Sequence, residues 1–313
     1  TRAALGRLHW RRGAADAAES QLRAAVGIWT TSCGLESPLA AEGLGDLAAL
    51  LRERGRLDEA RELLAAAERV SARVHEAAAP ETALVLQNRA ETEAAGGRLE
   101  RAEELHRRAL DLLRARLGEH HPTTGLAVGL VARVVGTRGR YGESLALFSE
   151  AIRVVGGWGE ETSGADYLTL RNNRAVVLGM AGRHEEAAAE LEAVIAGRAR
   201  LLEPGHPFVG QALYSLGRVE QARGRHEVAR DLYGRAREIV DAALPEGHPA
   251  LLYPRLAVAH LELERGDVSA AERRLADLVP RIERAHGADH WRVAEAKSLL
   301  AAARLRSSPP SAR

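Results

Sequence analysis

Small, large and polar positions along this chain keep fixed distances from a recurring glycine. That glycine stands at 13, 55, 97, 139, 182, 224 and 266, in steps of 42 residues with one step of 43. Seven residues before it the chain is always small: Gly6, Ala48, Ala90, Ala132, Ala175, Gly217, Ala259. Five residues after it the chain is small again: Ala18, Ala60, Ala102, Ser144, Ala187, Ala229, Ala271. Nine after it a large residue follows (Leu22, Leu64, His106, Phe148, Leu191, Tyr233, Leu275), and twelve after it Ala25, Ala67, Ala109, Ala151, Val194, Ala236 or Leu278. The stretch 97–122, GRLERAEELHRRALDLLRARLGEHHP, shows the unit whole: a turn, an amphipathic helix, and a turn into the next helix. Self-similarity at such a period marks a stacked array rather than a globule.

The physics of the pattern is helix on helix. Two helices joined by a tight turn approach closely only where side chains are small, and large residues fill the groove beside that contact. The glycine permits the left-handed backbone that ends the first helix of each hairpin. Arg follows it in five repeats, and the phrase is nearest Gly-Arg-x-x-Glu-Ala, as at 55–60 and 182–187. A second phrase, Leu117-Gly118-Glu119-His120-His121-Pro122, is echoed by Pro204-Gly205-His206-Pro207 and Glu246-Gly247-His248-Pro249.

On these residues the chain resembles the tetratricopeptide repeat in its longer, 42-residue, kinesin light chain-like form, from residue 1 to about 306. The resemblance implies an all-α fold: a right-handed α-solenoid of about seven helix-turn-helix repeats plus a C-terminal capping helix. It further implies that the first helix of each hairpin lines the concave side, where an extended peptide binds, and that asparagines there hold the peptide backbone.

The repeats are expected at about 1–35, 37–78, 79–120, 121–160, 162–204, 206–246 and 248–287, with a cap at 290–306 and a disordered tail at 307–313. Ser37-Pro38 reads as an N-cap with proline at the first helical position. The first helix of the first repeat is short and no Met precedes it, which suggests a piece of a longer chain. The junction Gly156–Gly164 carries four glycines in nine residues and no His-Pro; it reads as a degenerate loop, with a hinge as the alternative. Pro280 is expected to kink or shorten the last second helix. Arg292, Glu295, Arg304 and Arg306 are expected to make the outer side of the capping helix polar.

Charge and composition narrow the partner rather than the fold. The 44 basic and 43 acidic residues leave a formal net charge of +1, which argues against nucleic acid or an anionic membrane. Among the 44 only Lys297 is lysine, a bias that fits a GC-rich, bacterial gene. Cys33 is the sole cysteine, so no intrachain disulfide forms, and the cytoplasm is compatible. No apolar run approaches the ~20 residues that span a bilayer.

Candidate chemistry is sparse. His121, His206 and His248 precede proline in successive layers and read as structural or capping residues. His286 and His290 have the i, i+4 spacing of metal ligands, but Gly287 interrupts the helix and no third ligand lies near in sequence, so no metal is expected. Residues 43–48, GLGDLA, imitate a dinucleotide fingerprint without the strand it needs. His106 reads as a neutral packing histidine, with a pH-sensitive joint as the sharper alternative. No catalytic residue and no cofactor is expected.

The working surface should lie 13, 10, 9 and 6 residues before each repeat glycine, offsets that share one helix face. The protein-binding candidates there are Gln87, Asn88, Glu91, Arg133, Thr169, Asn172, Asn173, Gln211, Tyr214, Arg218 and Tyr253. All three asparagines of the chain fall on this stripe. Amides both donate and accept, which suits a peptide backbone; Arg133 and Arg218 are expected to pair with acidic residues of the partner. Leu130 and Ala257 interrupt the asparagine ladder, and the Lys/Asn grip on a C-terminal carboxylate is absent. The leading expectation is a scaffold that holds a peptide or protein segment in its concave groove. The alternative is a regulatory or sensor arm of a larger bacterial signalling protein, a kinase, nucleotide-switch ATPase or caspase-like protease, bound to other domains of the same chain.

Overall fold

A computed structural model of the protein describes residues 1–32, 38–74, 80–245, 248–288 and 290–307. They form fifteen α-helices: α1 (Arg2–Arg11), α2 (Ala15–Ser32), α3 (Pro38–Glu53), α4 (Leu57–Val74), α5 (Pro80–Ala95), α6 (Leu99–Leu117), α7 (Pro122–Thr137), α8 (Tyr141–Gly156), α9 (Glu160–Met180), α10 (His184–Leu201), α11 (Pro207–Ala222), α12 (His226–Ala243), α13 (Leu252–Arg265), α14 (Val268–His286) and α15 (Trp291–Ser307). One 3-10 turn, Pro249–Leu251, precedes α13. There is no strand among the described residues. The chain divides into two compact units, Thr1–Ala181 and Gly182–Arg313. Cys33, Ser37 and the tail beyond Ser307 lie outside the described residues, and with them the Ser37 cap.

In both units the periodic residues are the core. Every small residue seven before and five after the glycine is buried. So is every large residue nine after it, from Leu22 to Leu275. In the first unit α5–α9 share one cluster built on Leu86, Ala90, Leu105, Val131, Phe148 and Leu170. In the second, α13–α15 close another around Leu256, Leu275, Ile282 and Val293. The need for small residues is direct at Gly217, where a Cβ would stand 2.6 Å from the ring of buried Tyr233. Ser144 keeps its size class and satisfies its hydroxyl, which donates to the Ala132 carbonyl at 2.6 Å.

Each hairpin turns the same way. At Gly55 (φ 73°) the Arg56 N–H reaches back to the Leu51 carbonyl at 2.9 Å. The equivalent bond recurs after Gly13, Gly97, Gly139, Gly224 and Gly266. This is the Schellman pattern, which satisfies a carbonyl the helix end would leave orphaned. The next residue's carbonyl then opens the second helix, as Arg98 O accepts from Ala102 N at 3.0 Å.

The Gly-Arg-x-x-Glu phrase has an electrostatic reason. Glu103 on α6 is 8% exposed and takes Arg107 from its own helix together with Arg138 and Arg140 from the α7–α8 turn. Arg107 and Arg140 also hold Glu143 on α8. Eighty-four residues earlier Glu19, Arg23, Arg54, Arg56 and Glu59 repeat the network between α2 and α4. Arginine's planar fork holds five donors in fixed directions, so one side chain serves two carboxylates in a set geometry.

The His-Pro junctions are caps. The Nδ1 of His121 accepts from Thr123 N, that of His206 from Phe208 N and that of His248 from Ala250 N, each at 3.2 Å. His290 does the same for Arg292 N at the start of α15. The glycine-rich junction near 156–164 lies inside the first unit. There Trp158 Nε1 donates to the His120 carbonyl at 2.8 Å, and its ring meets His121 edge-on at 5.7 Å.

Of the two outcomes expected at Pro280, shortening does not occur: α14 runs on through it, with Leu278, Val279 and Ile282 around it buried, so tertiary packing outweighs one lost backbone bond. On the capping helix Glu295, Arg304 and Arg306 are exposed and Arg292 is half-buried. Arg306 donates to the Leu263 carbonyl at 2.7 Å, and Arg292 lies over the Tyr253 ring at 3.9 Å.

Candidate functional site

First helices pack on first helices in the first unit: α1 on α3, α3 on α5, α7 on α9. Their shared face carries the stripe. Gln87 and Asn88 on α5 and Thr169 and Asn173 on α9 are half-buried; Leu84 is 54% exposed, and Leu126, Leu130 and Val176 are half-buried around them. Asn88 forms no side-chain hydrogen bond within the described residues, and its amide nitrogen stands 3.4 Å from where a Cβ on Gly45 would be. Asn172 departs from its expected place. It is 2% exposed, so it sits in the packing seam rather than on the open face. The ten-before position is the seam elsewhere too, where Gly129 is buried and a Cβ would strike Leu170. Asn172 Nδ2 stands 3.4 Å from Asn173 Oδ1, while its own Oδ1 is buried without a partner among the described residues.

Glu91 and Arg133 are bonded to each other, one layer apart. His106 Nε2, 1% exposed, stands 3.2 Å from Glu91 Oε1. Burial alone would raise the Glu91 carboxyl, but its neighbours His106, Arg133 and Arg52 hold it at about 2. Arg133 is therefore engaged within the chain, not offered bare to an acidic partner.

In the first two repeats the same offsets carry charged residues that their types alone do not single out. Arg7, six before Gly13, bonds Glu42 at 2.9 Å and Asp46 at 2.8 Å, both on the stripe of α3. Beside them Trp10 Nε1 donates to Glu53 at 2.7 Å. Burial pushes the Asp46 and Glu53 carboxyls up, against Arg7 in one case and Trp10 in the other.

In the second unit the candidates scatter. Gln211 is exposed and accepts from buried Arg198 at 3.3 Å. Tyr214 leans on Tyr233, ring centroids 5.9 Å apart. Arg218 is exposed. Tyr253 lies beneath Arg292 and stacks on His286 at 6.0 Å, so its ring is occupied by its own chain. His286 and His290 stack face to face at 4.5 Å. No cluster of three or more potential metal ligands occurs among the described residues. No helix there is long and apolar enough to cross a membrane.

Hairpins of this kind, stacked on small residues with one face of first helices left open, define a helical-repeat protein. The tetratricopeptide-repeat family model matches at residues 3–73, 39–115, 81–155 and 166–242, and the chain belongs to that family. Solved structures agree on the fold. A Podosopora anserina kinesin light chain with nearly identical TPR-like repeats is 23% identical, with a TM-score of 0.52 over 66% of this chain and 98% of that one. BtubC (BKLC) from P. vanneervenii is 18% identical, with a TM-score of 0.54 over 75% and 92%. A Rap protein complexed with Competence and Sporulation Factor is 15% identical, with a TM-score of 0.65 over 97% and 87%. No curated protein matches the sequence.

Proposed function

We propose that the protein is a protein-interaction scaffold that holds an extended peptide or protein segment along the first-helix face, and that it has no catalytic role of its own. The observation that carries this is the half-buried stripe of amides on the first helices of the first unit, where the Asn88 side chain forms no hydrogen bond among the described residues and Asn173, two layers on, has only its neighbour Asn172. A buried face leaves an amide without a partner only at a cost of about 1–3 kcal/mol, so such amides on an open groove suit a ligand's backbone. The Rap protein's complex supports the reading by analogy of fold alone. The partner is a protein rather than nucleic acid or lipid, in keeping with the balanced charge, and the cytoplasm is the compartment that fits. Pull-down from the source organism, with mapping of the bound segment, tests the reading. The double substitution Asn88→Ala, Asn173→Ala should weaken the mapped segment by roughly 1–3 kcal/mol; unchanged affinity places the site elsewhere.

A further inference from the structure

The first-helix face of the first unit holds many charged groups, yet leaves few of them available. Glu42 and Asp46 are bound by Arg7. Glu53 takes the Trp10 indole. Glu91 is shared between Arg133 and His106. Arg52 has one guanidinium nitrogen, Nη1, that is wholly buried without a hydrogen-bond partner among the described residues, so a ligand cannot reach it, and its charge acts on Glu91 and Glu53. Between and beyond these pairs stand uncharged groups: Leu84, Gln87, Asn88, Leu126, Leu130, Thr169, Asn173 and Val176.

We infer that this face selects an extended protein segment without formal charge, one that sets apolar side chains against the leucines and valine and offers its backbone to Asn88 and Asn173. The inference rests on the groove-binding reading and deepens it by naming the partner's chemistry. A charged segment would have to break an existing pair or leave its own charge desolvated beside an already neutralised one. Breaking a pair forfeits its attraction and leaves one partner bare, and the replacement pair formed on the same half-exposed face returns no more than was lost. Four stacked first helices at about 8–10 Å each span some 25–30 Å, which an extended chain crosses in roughly eight residues.

The charge pairing also makes a reciprocal prediction. Arg133→Gln strips the cover from Glu91 and should turn the face toward cationic segments. Glu91→Gln frees Arg133 and should turn it toward acidic ones. The test is selection of random twelve-residue peptides displayed on phage by the wild-type chain and by both variants, each checked for native helicity. Wild-type selection should deplete Asp, Glu, Lys and Arg relative to the starting library. The selected peptides should lose less than about threefold in affinity between low salt and roughly 0.5 M salt. The two variants should diverge in opposite charge directions. Wild-type enrichment of acidic or basic peptides, steep salt dependence, or variants that select the same set as the wild type would each overturn the inference while leaving groove binding standing. Failure to enrich any peptide, or enrichment insensitive to Asn88→Ala, would remove the groove-binding reading itself.

Discussion

Single residues set the chain's acid sensitivity. Glu91 is held at about 2, well below an unfolded glutamate, because His106, Arg133 and Arg52 outweigh its burial. Its contribution to stability is therefore complete above about pH 4.5 and is lost as pH falls toward 2. Urea titrations across that window should show the wild type losing on the order of 1–3 kcal/mol more than Glu91→Gln; parallel curves would refute the arrangement. His290 works in the opposite chemical sense with the same direction in pH. Burial first, then His286 and Arg292, lower it to about 4, so the folded chain holds it neutral and able to accept at Nδ1. That stability is present above about pH 6.5 and fades as pH falls toward 4. Amide exchange in α15 should accelerate over that interval, and His290→Asn, which still caps but does not titrate there, should flatten the response.

Elements are joined by two devices, one steric and one ionic. The steric device is the small-residue seam. Gly217→Ala drives a methyl into the enclosed ring of Tyr233 and should lower stability by about 1–3 kcal/mol in chemical denaturation. The ionic device is Glu103 with its three arginines. Burial would raise its carboxyl, but hydrogen bonds from Arg107, Arg138 and Arg140 outweigh that and hold it below the usual range. Glu103→Ala should cost roughly 1–3 kcal/mol, since it leaves those arginines without their shared acceptor. Glu19→Ala, 84 residues earlier in the same setting, should behave alike; a silent Glu103 would reduce the network to surface decoration. Arginine in place of lysine thus has a structural use in this chain whatever the origin of its codon bias.

Across the whole molecule, stability is local to each layer and its neighbours, as in any stacked array. Among the described residues the cluster around Leu275 draws on α13–α15 and the one around Phe148 on α5–α9. Leu275→Ala should therefore speed amide exchange in α13–α15 while α5–α8 keep their protection; uniform acceleration would mean one cooperative globule. Most of this was legible in advance. The glycine register located every hairpin, because a turn of fixed geometry needs glycine wherever it recurs. The offsets seven before and five after identified the packing seam residue by residue. The site was less legible. Offsets put Asn172 and Asn173 on one stripe, although side chains one position apart differ by about 100° around a helix. They put Tyr253 on the open face, without foreseeing that Arg292 from the next hairpin lies over it.

What the sequence determined alone was most of what depends on spacing within a hairpin: the turns, the His-Pro junctions and the small-residue contact. Those features are set by neighbours within about forty residues, so their pattern is written along the chain. Only the tertiary structure decided which polar groups are already taken. Glu91 and Arg133 occupy the same offset in adjacent repeats and read equally well as ligands for a partner or for each other. Their distance in space, not their spacing in sequence, settles that they hold one another.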